Sequence, residues 1–295
     1  MPETILVTGA SGKLGRLVLD ELLNRPNVAP ASIIAVSRDP ARLADYAKIG
    51  VVTRRGDFDD PASLDRAFAG ADRLLIISTD ALDRPGRRLE QHKAAVAAAS
   101  KAGVKRICYT SMPNPDKSVV TFAPDHLGTE QAIKASGIPY AILRCGWYME
   151  NLFMALPQAL ATGQWYTATG QGSLAYAARA DLAAAIAGAL AGKAAGSAIH
   201  TLTGPRLLTA EDVAAAVRAA TGKPLQVVHV SDEQLAAGMK AAGLPDFVVA
   251  MLVSSDTNIR LGNFAIVTDD IEKLSGRKPI SLETFLSGAE QALAA

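Results

Sequence analysis

The feature that most constrains this chain is an octapeptide near its start. Thr8-Gly9-Ala10-Ser11-Gly12-Lys13-Leu14-Gly15 follows the β-type run Ile5-Leu6-Val7 directly and opens a helical stretch at about residues 14–23. A strand, a glycine-rich turn and a helix in that order form the opening unit of a parallel nucleotide-binding sheet. Gly9 is expected to supply the tight turn, Gly12 to let the backbone approach a pyrophosphate, and Gly15 to let helix and strand pack closely. The helix start then offers unpaired N–H groups and a partial positive charge. Thr8, Ser11, Lys13 and Leu14 complete the candidate phosphate loop. A glycine-rich turn without a ligand is the competing reading.

Further strand-like runs at 33–36, 51–53, 74–77, 104–109 and 138–143 alternate with helical runs. Such alternation predicts an α/β fold, a doubly wound parallel (Rossmann) sheet covered by helices on both faces. The unbroken apolar run Leu74-Leu75-Ile76-Ile77 suits a strand buried on both sides. Residues 1–150 therefore read as a dinucleotide-binding domain. Residues 151–295 read as a smaller C-terminal α/β substrate-binding region, and the helix near 179–191 can belong to either. Asp60-Pro61, Thr209 and Ser231 read as helix starts.

Composition removes several classes. Thirty basic against twenty-nine acidic residues leave a net charge of +1, with no basic excess for nucleic acid or a membrane surface. No apolar stretch approaches the ~18 residues of a membrane span, and no basic leader precedes the first strand, so no signal peptide is expected. Two cysteines, Cys108 and Cys145, are too few for a disulfide framework, and a reducing cytoplasm is the expected compartment. His92, His200 and His229 lack ligand spacing, so no metal is expected. Cys108 reads as an apolar filler, and Cys145 has no adjacent cation to activate it. Arg87-Arg88 and Lys105-Arg106 read as solvated element ends.

The second strand run ends Ser37-Arg38, where an NAD-specific site carries a carboxylate for the ribose 2′-hydroxyl. A guanidinium there suits a 2′-phosphate, which predicts NADPH over NADH. The competing reading is a solvated arginine paired with Asp39 or Asp45. Asp57 and Phe58 after the third strand could meet the adenine amino group and ring, or Asp57 could simply cap a turn. Ser78 and Thr79, ending the fourth strand, lie where the chain passes a cofactor phosphate or ribose.

TGASGKLG at 8–15, the Ser37-Arg38 pair, GDFDDPASLDRAFAGAD at 56–72, GVKRICYTS at 103–111, SGIPYAILRCGWYMENL at 136–152 and ARADLAAA at 178–185 occur in this order. Together they resemble the NmrA-like group of atypical short-chain dehydrogenases, nearest to its flavin-free NAD(P)H:quinone oxidoreductases and triphenylmethane dye reductases. The resemblance covers nearly the whole chain. It implies NADPH binding, a small C-terminal substrate region, and two-electron reduction of a quinone without flavin.

Ordinary members of the wider superfamily use a Tyr-x-x-x-Lys pair, and the matching positions here are Phe122 and His126. Phenylalanine has no proton to give, and general acid help is worth roughly 10²–10⁴-fold. An unactivated ketone is thereby disfavoured, whereas a quinone delocalises its developing charge. His126 could donate to an acceptor carbonyl or to the nicotinamide ribose, or only order a hydrogen bond at its helix start. Tyr109, Thr110 and Ser111 end the fifth strand where the superfamily has its serine. A hydroxyl there, Ser111 foremost, could polarise an acceptor oxygen or simply close the strand. Gly146 is expected to let the backbone approach the nicotinamide. Trp147 and Tyr148 could form a stacking wall or plain interdomain core, and Asn151 could hydrogen-bond across the pocket.

The partner implied is a small, planar, electrophilic acceptor, and the oligomeric state is left open. Two other readings compete: an NADP(H)-binding redox sensor without turnover, and a triarylmethane dye reductase.

Overall fold

In the computed structural model, which describes residues 3–193 and 196–288, the strand–helix alternation is laid out as expected. Strands β1 (Ile5–Val7), β2 (Ile33–Ser37), β3 (Val52–Arg55), β4 (Arg73–Ile76), β5 (Arg106–Ser111) and β6 (Tyr140–Cys145) alternate with helices. These are α1 (Lys13–Leu23), α2 (Ala44–Lys48), α3 (Pro61–Phe68), α4 (Arg87–Lys101) and α5 (Ala123–Ala135). Beyond them come α6 (Leu156–Thr162), β7 (Gln164–Thr167), β8 (Ser173–Leu174), α7 (Arg179–Ala191), β9 (Ala198–Leu202), β10 (Leu208–Thr209), α8 (Ala210–Thr221) and β11 (Gln226–His229). Helices α9 (Asp232–Ala241), α10 (Asp246–Arg260), α11 (Asp270–Ser275) and α12 (Leu282–Ser287) follow.

The main sheet has seven parallel strands in the order β3-β2-β1-β4-β5-β6-β9. Chain order reverses at β1, which pairs β2 on one side and β4 on the other. That reversal opens a crevice at the carboxyl ends of the strands, the usual ligand position of such sheets. Leu74, Leu75 and Ile76 are fully buried, as an apolar strand covered on both faces must be. On one face α1 and α7 pack Val18, Leu22, Leu182 and Ile186 into the core. On the other, α3 and α4 contribute Leu64, Phe68 and Val96. Burying each such side chain is worth about 1.5–3 kcal/mol.

A boundary at residue 150 does not part the sheet from the rest. β9 pairs with β6 along Ala141↔Ala198 to Cys145↔Leu202, and α7 lies against α1 and α11. The physical reason is twofold. β6 would otherwise present an open edge. α7 is apolar on every side, with Leu182–Leu190 wholly buried, so it needs cover all round. A separate core gathers α6, α8, α12 and part of α10 beside the strand ends.

The expected helix starts are present. Asp60 accepts from the Ser63 N–H, while Thr209 with Asp212 and Ser231 with Gln234 form capping boxes. After β6 the chain makes a 3₁₀ turn over Met149–Met154 before α6 begins at Leu156. Pro157 has no N–H to continue a preceding helix and fits the first turn of a new one.

Candidate active site

The phosphate loop turns as its glycines require. Gly9 sits at φ +60°, and a Cβ on Gly15 would lie 2.2 Å from the Gly9 carbonyl oxygen and 2.8 Å from Ala10 Cα. Gly15 thus packs the helix onto the loop itself rather than onto a strand. Gly12 caps α1 without a side-chain hydrogen bond, and no acidic residue stands in the first turn. The N–H groups of Lys13, Leu14 and Gly15 are left open there, a donor set that fits a pyrophosphate. Thr8 is not part of it. Its buried hydroxyl donates to the Leu75 carbonyl (2.9 Å) and accepts from the Ile77 N–H (3.0 Å), tying β1 to β4.

Ser11 pairs with Ser37 at 2.8 Å, joining loop and β2. Arg38 beyond it is exposed and makes no ion pair among the described residues. Asp39 instead caps the next turn through the Ala41 N–H, and Asp45 pairs with Lys48. Asp57 accepts from the Asp59 N–H at 3.1 Å, a turn-capping role, and Phe58 lies half-buried against the sheet core. Thr110 accepts from the Ser78 N–H at 2.8 Å, so both hold the ends of β4 and β5 together. Thr79 donates its N–H to His92 Nε2 (3.0 Å) and its hydroxyl to Gln91 (2.7 Å).

Behind these strand ends lies a polar cluster that the sequence does not announce. Since His92 Nε2 accepts from Thr79, its proton sits on Nδ1 and is donated to the Thr129 hydroxyl at 2.9 Å. Thr129 donates onward to the Asp125 carbonyl at 2.6 Å. The Tyr109 hydroxyl lies 2.8 Å from His126 Nδ1 and 3.4 Å from His92 Nδ1. Tyr109 and His126 thus share a buried hydrogen bond. Burial first, then the Arg88 charge, pushes His92 down to about 3. Burial, Arg88 and His92 likewise hold His126 well below the usual imidazole range. His126 is thus a neutral imidazole tied to Tyr109, poorly placed to act as an acid.

Four further expectations are corrected. Ser111 donates to Glu130 (2.7 Å), a fully buried carboxylate held bidentately by Arg144 at 2.9 and 2.8 Å, so its hydroxyl polarises no acceptor. Tyr109 is fully buried between the two imidazoles and does not face a cofactor. Gly146 donates its N–H to the Leu202 carbonyl, and a Cβ there would meet that oxygen at 2.9 Å. Its small size serves the join with β9, not a nicotinamide. Arg88 is buried, not solvated, with its guanidinium carbon 5.1 Å over the Phe122 ring. Its signal is the inward face of α4: Arg88, His92, Ala95 and Ala99 recur at helical spacing and are all buried.

Trp147 and Asn151 do line a cavity of about 710 Å³, together with Leu174, Tyr176, Leu252 and Asp256. That volume falls within the ordinary range for small-molecule sites. Trp147 leans on Phe264 with centroids 6.0 Å apart. Asp256 accepts from the Ala168 N–H (2.8 Å) and the Thr167 hydroxyl (2.9 Å), and burial raises its pKa. Tyr148 lies outside that lining, under the Arg179 guanidinium at 5.1 Å. Burial pushes its phenol far above the ordinary range. Cys108 and Cys145 are buried, and their thiols are pushed up to about 11 and about 12. Among the described residues no cluster of three or more metal-ligating side chains occurs, and no helix is long and apolar enough to cross a membrane.

The comparisons with known proteins agree on one lineage. Quinone oxidoreductase 2 of Escherichia coli is 35% identical over 283 residues, 96% of this chain and 97% of that protein. A crystal structure of that NADPH-dependent enzyme complexed with NADPH superposes with a TM-score of 0.92, covering 97% of this chain and 99% of the other. The Citrobacter sp. triphenylmethane reductase complexed with NADP(H) gives 0.90 at 31% identity, covering 97% of this chain and 100% of the other. The NmrA-like family profile matches residues 1–286. The chain belongs to the NmrA-like family.

Proposed function

We propose that this protein is a flavin-free oxidoreductase that uses NADPH to reduce a quinone or a similar planar, electrophilic acceptor. Bound NADPH supplies the hydride. The open N–H groups of Lys13, Leu14 and Gly15 hold its pyrophosphate, and the exposed Arg38 takes the 2′-phosphate, with no carboxylate at the end of β2 to repel it. Trp147 and Asn151 present the acceptor cavity, with Tyr148 beside it.

The observation that carries the reading is Phe122 at the start of α5 with a neutral, buried His126 beside it. Tyr148 lies outside the cavity lining, under Arg179, and does not take the place of the missing tyrosine. A reaction that needs a proton with the hydride is poorly served here. A quinone spreads its new charge over an aromatic ring and takes its proton later from water. What remains for the protein is proximity and orientation. The E. coli quinone oxidoreductase and the Citrobacter triphenylmethane reductase support this reading, with a cationic dye as the second acceptor class. The sensor reading has no comparable support among these reductases.

The test is the loss of NADPH absorbance with benzoquinones, naphthoquinones and cationic dyes. Turnover with quinones is expected. Stable NADPH with every acceptor would overturn the proposal.

A further inference from the structure

Arg88 is a buried cation whose neighbouring carboxylates, Asp125 and Asp80, make no ion pair with it. It stands in the first turn of α4 and is 6% exposed. No ion pair or hydrogen bond among the described residues reaches its guanidinium, and Nε is fully enclosed without a partner. Arg144, by contrast, is held bidentately by Glu130. A guanidinium does not lose its proton in a protein. Burying most of it without a protein partner is costly, and a polar group on the open terminal nitrogens would offset that cost.

The neighbours say where that ligand sits. Phe122 lies beneath the guanidinium, while Tyr109, Asp125, Tyr148 and Asp80 feel its charge. Its charge in turn reaches His92 and His126. These residues come from β5, from the segments that follow β4 and β6, and from the first turns of α4 and α5, on the carboxyl side of the sheet where ligands of such folds bind. The two terminal nitrogens have no partner and are not sealed as Nε is, which leaves them to a bound group.

We propose that Arg88 is a catalytic residue whose terminal nitrogens bind an acceptor oxygen and stabilise the oxyanion formed by hydride addition. The proposal rests on quinone reduction as the reaction. The hydride brings two electrons and one proton, and a new O–H bond forms at one carbonyl oxygen. The ring becomes aromatic, the displaced electron pair ends on the second oxygen, and NADPH is oxidised by the same two electrons. The hydroquinone monoanion pairs with Arg88 until water supplies the last proton. A fixed cation thereby does for the developing charge what a proton donor does in a ketone reductase.

Arg88→Met removes the charge and keeps much of the volume. The expected result is a fall in kcat with benzoquinone of about 100-fold, the usual loss for one oxyanion donor, with the NADPH KM changed less than about twofold. Arg88→Lys keeps the charge without the fork and should lose about tenfold. It carries the test if the methionine variant does not fold. Millimolar guanidinium should restore part of the activity of Arg88→Ala. The second readout needs no turnover: 4-nitrophenol added to nucleotide-free protein at a fixed pH near its own pKa. The wild type should raise the phenolate absorbance, and Arg88→Met should not. Full kcat in Arg88→Met, or an equal phenolate signal in both proteins, would overturn the proposal. So would a loss confined to NADPH affinity, which would move Arg88 to the cofactor. If the wild type itself oxidises no NADPH, the quinone reading fails, and the phenolate titration still decides whether Arg88 holds an oxyanion.

Discussion

Arg38 and Arg88 are the same residue type in opposite situations. Arg38 ends β2 in solvent, where its role is legible from the strand that precedes it. Charged hydrogen bonds contribute about 1.5–3 kcal/mol. Arg38→Ala should therefore weaken NADPH binding roughly ten- to hundredfold and leave NADH binding nearly unchanged. Fluorescence titration with both nucleotides checks this, and an unchanged ratio would remove the 2′-phosphate role. Arg88 and Ser111 could not be read this way. The role of each depends on what stands across from it in the fold: Phe122 for the first, Glu130 for the second.

The glycine loop and the helix it opens act as one element, and their glycines do different work. At Gly15 an added Cβ strikes backbone at 2.2 Å, so loop and helix must part. Gly15→Ala should cost about 1–3 kcal/mol, as overpacking does, and abolish nucleotide binding with it. At Gly12 the nearest contact is 3.2 Å, a fit that small shifts accommodate. Gly12→Ala should leave the urea midpoint close to wild type while weakening NADPH binding, because the methyl intrudes on the pyrophosphate. Urea melts and nucleotide titrations of both variants separate the two effects. An equal stability loss in both would contradict this division. Helix α7 shows the other side of the element scale. Its alanine-rich run reads as buried from composition alone, yet only the fold shows that α1 and α11 cover it.

Across the whole molecule, two imidazoles locked away in neutral form set a pH dependence. His92 is held near 3, against about 6.5 in the unfolded chain. His126 is displaced in the same direction. Below about pH 6.5 the unfolded chain binds protons that the native state refuses, so stability falls on acidification. The slope is at most about 1.4 kcal/mol per pH unit for each histidine. Most carboxylates titrate near pH 4, below the window from about pH 7 to about pH 5, while Asp125, Asp181 and Asp256, raised by burial, act in the opposite sense to the histidines. Urea unfolding across that window should show stability dropping steadily, and His92→Gln should flatten the slope. An identical slope in wild type and His92→Gln would exclude a buried neutral His92.

Features that depend on near neighbours are legible in the chain: the glycine loop, the alternation that builds the parallel sheet, the helix caps, and the phenylalanine in place of a tyrosine. Each is a signal of period, backbone conformation or residue chemistry carried within a few positions. Only the tertiary structure decided that β9 completes the main sheet, that Ser111 serves a buried ion pair, and that Arg88 stands unpaired beside Phe122. Those outcomes depend on burial and on partners far apart in the chain. Once water is excluded, the environment across the fold decides whether a polar group is a support or a functional charge.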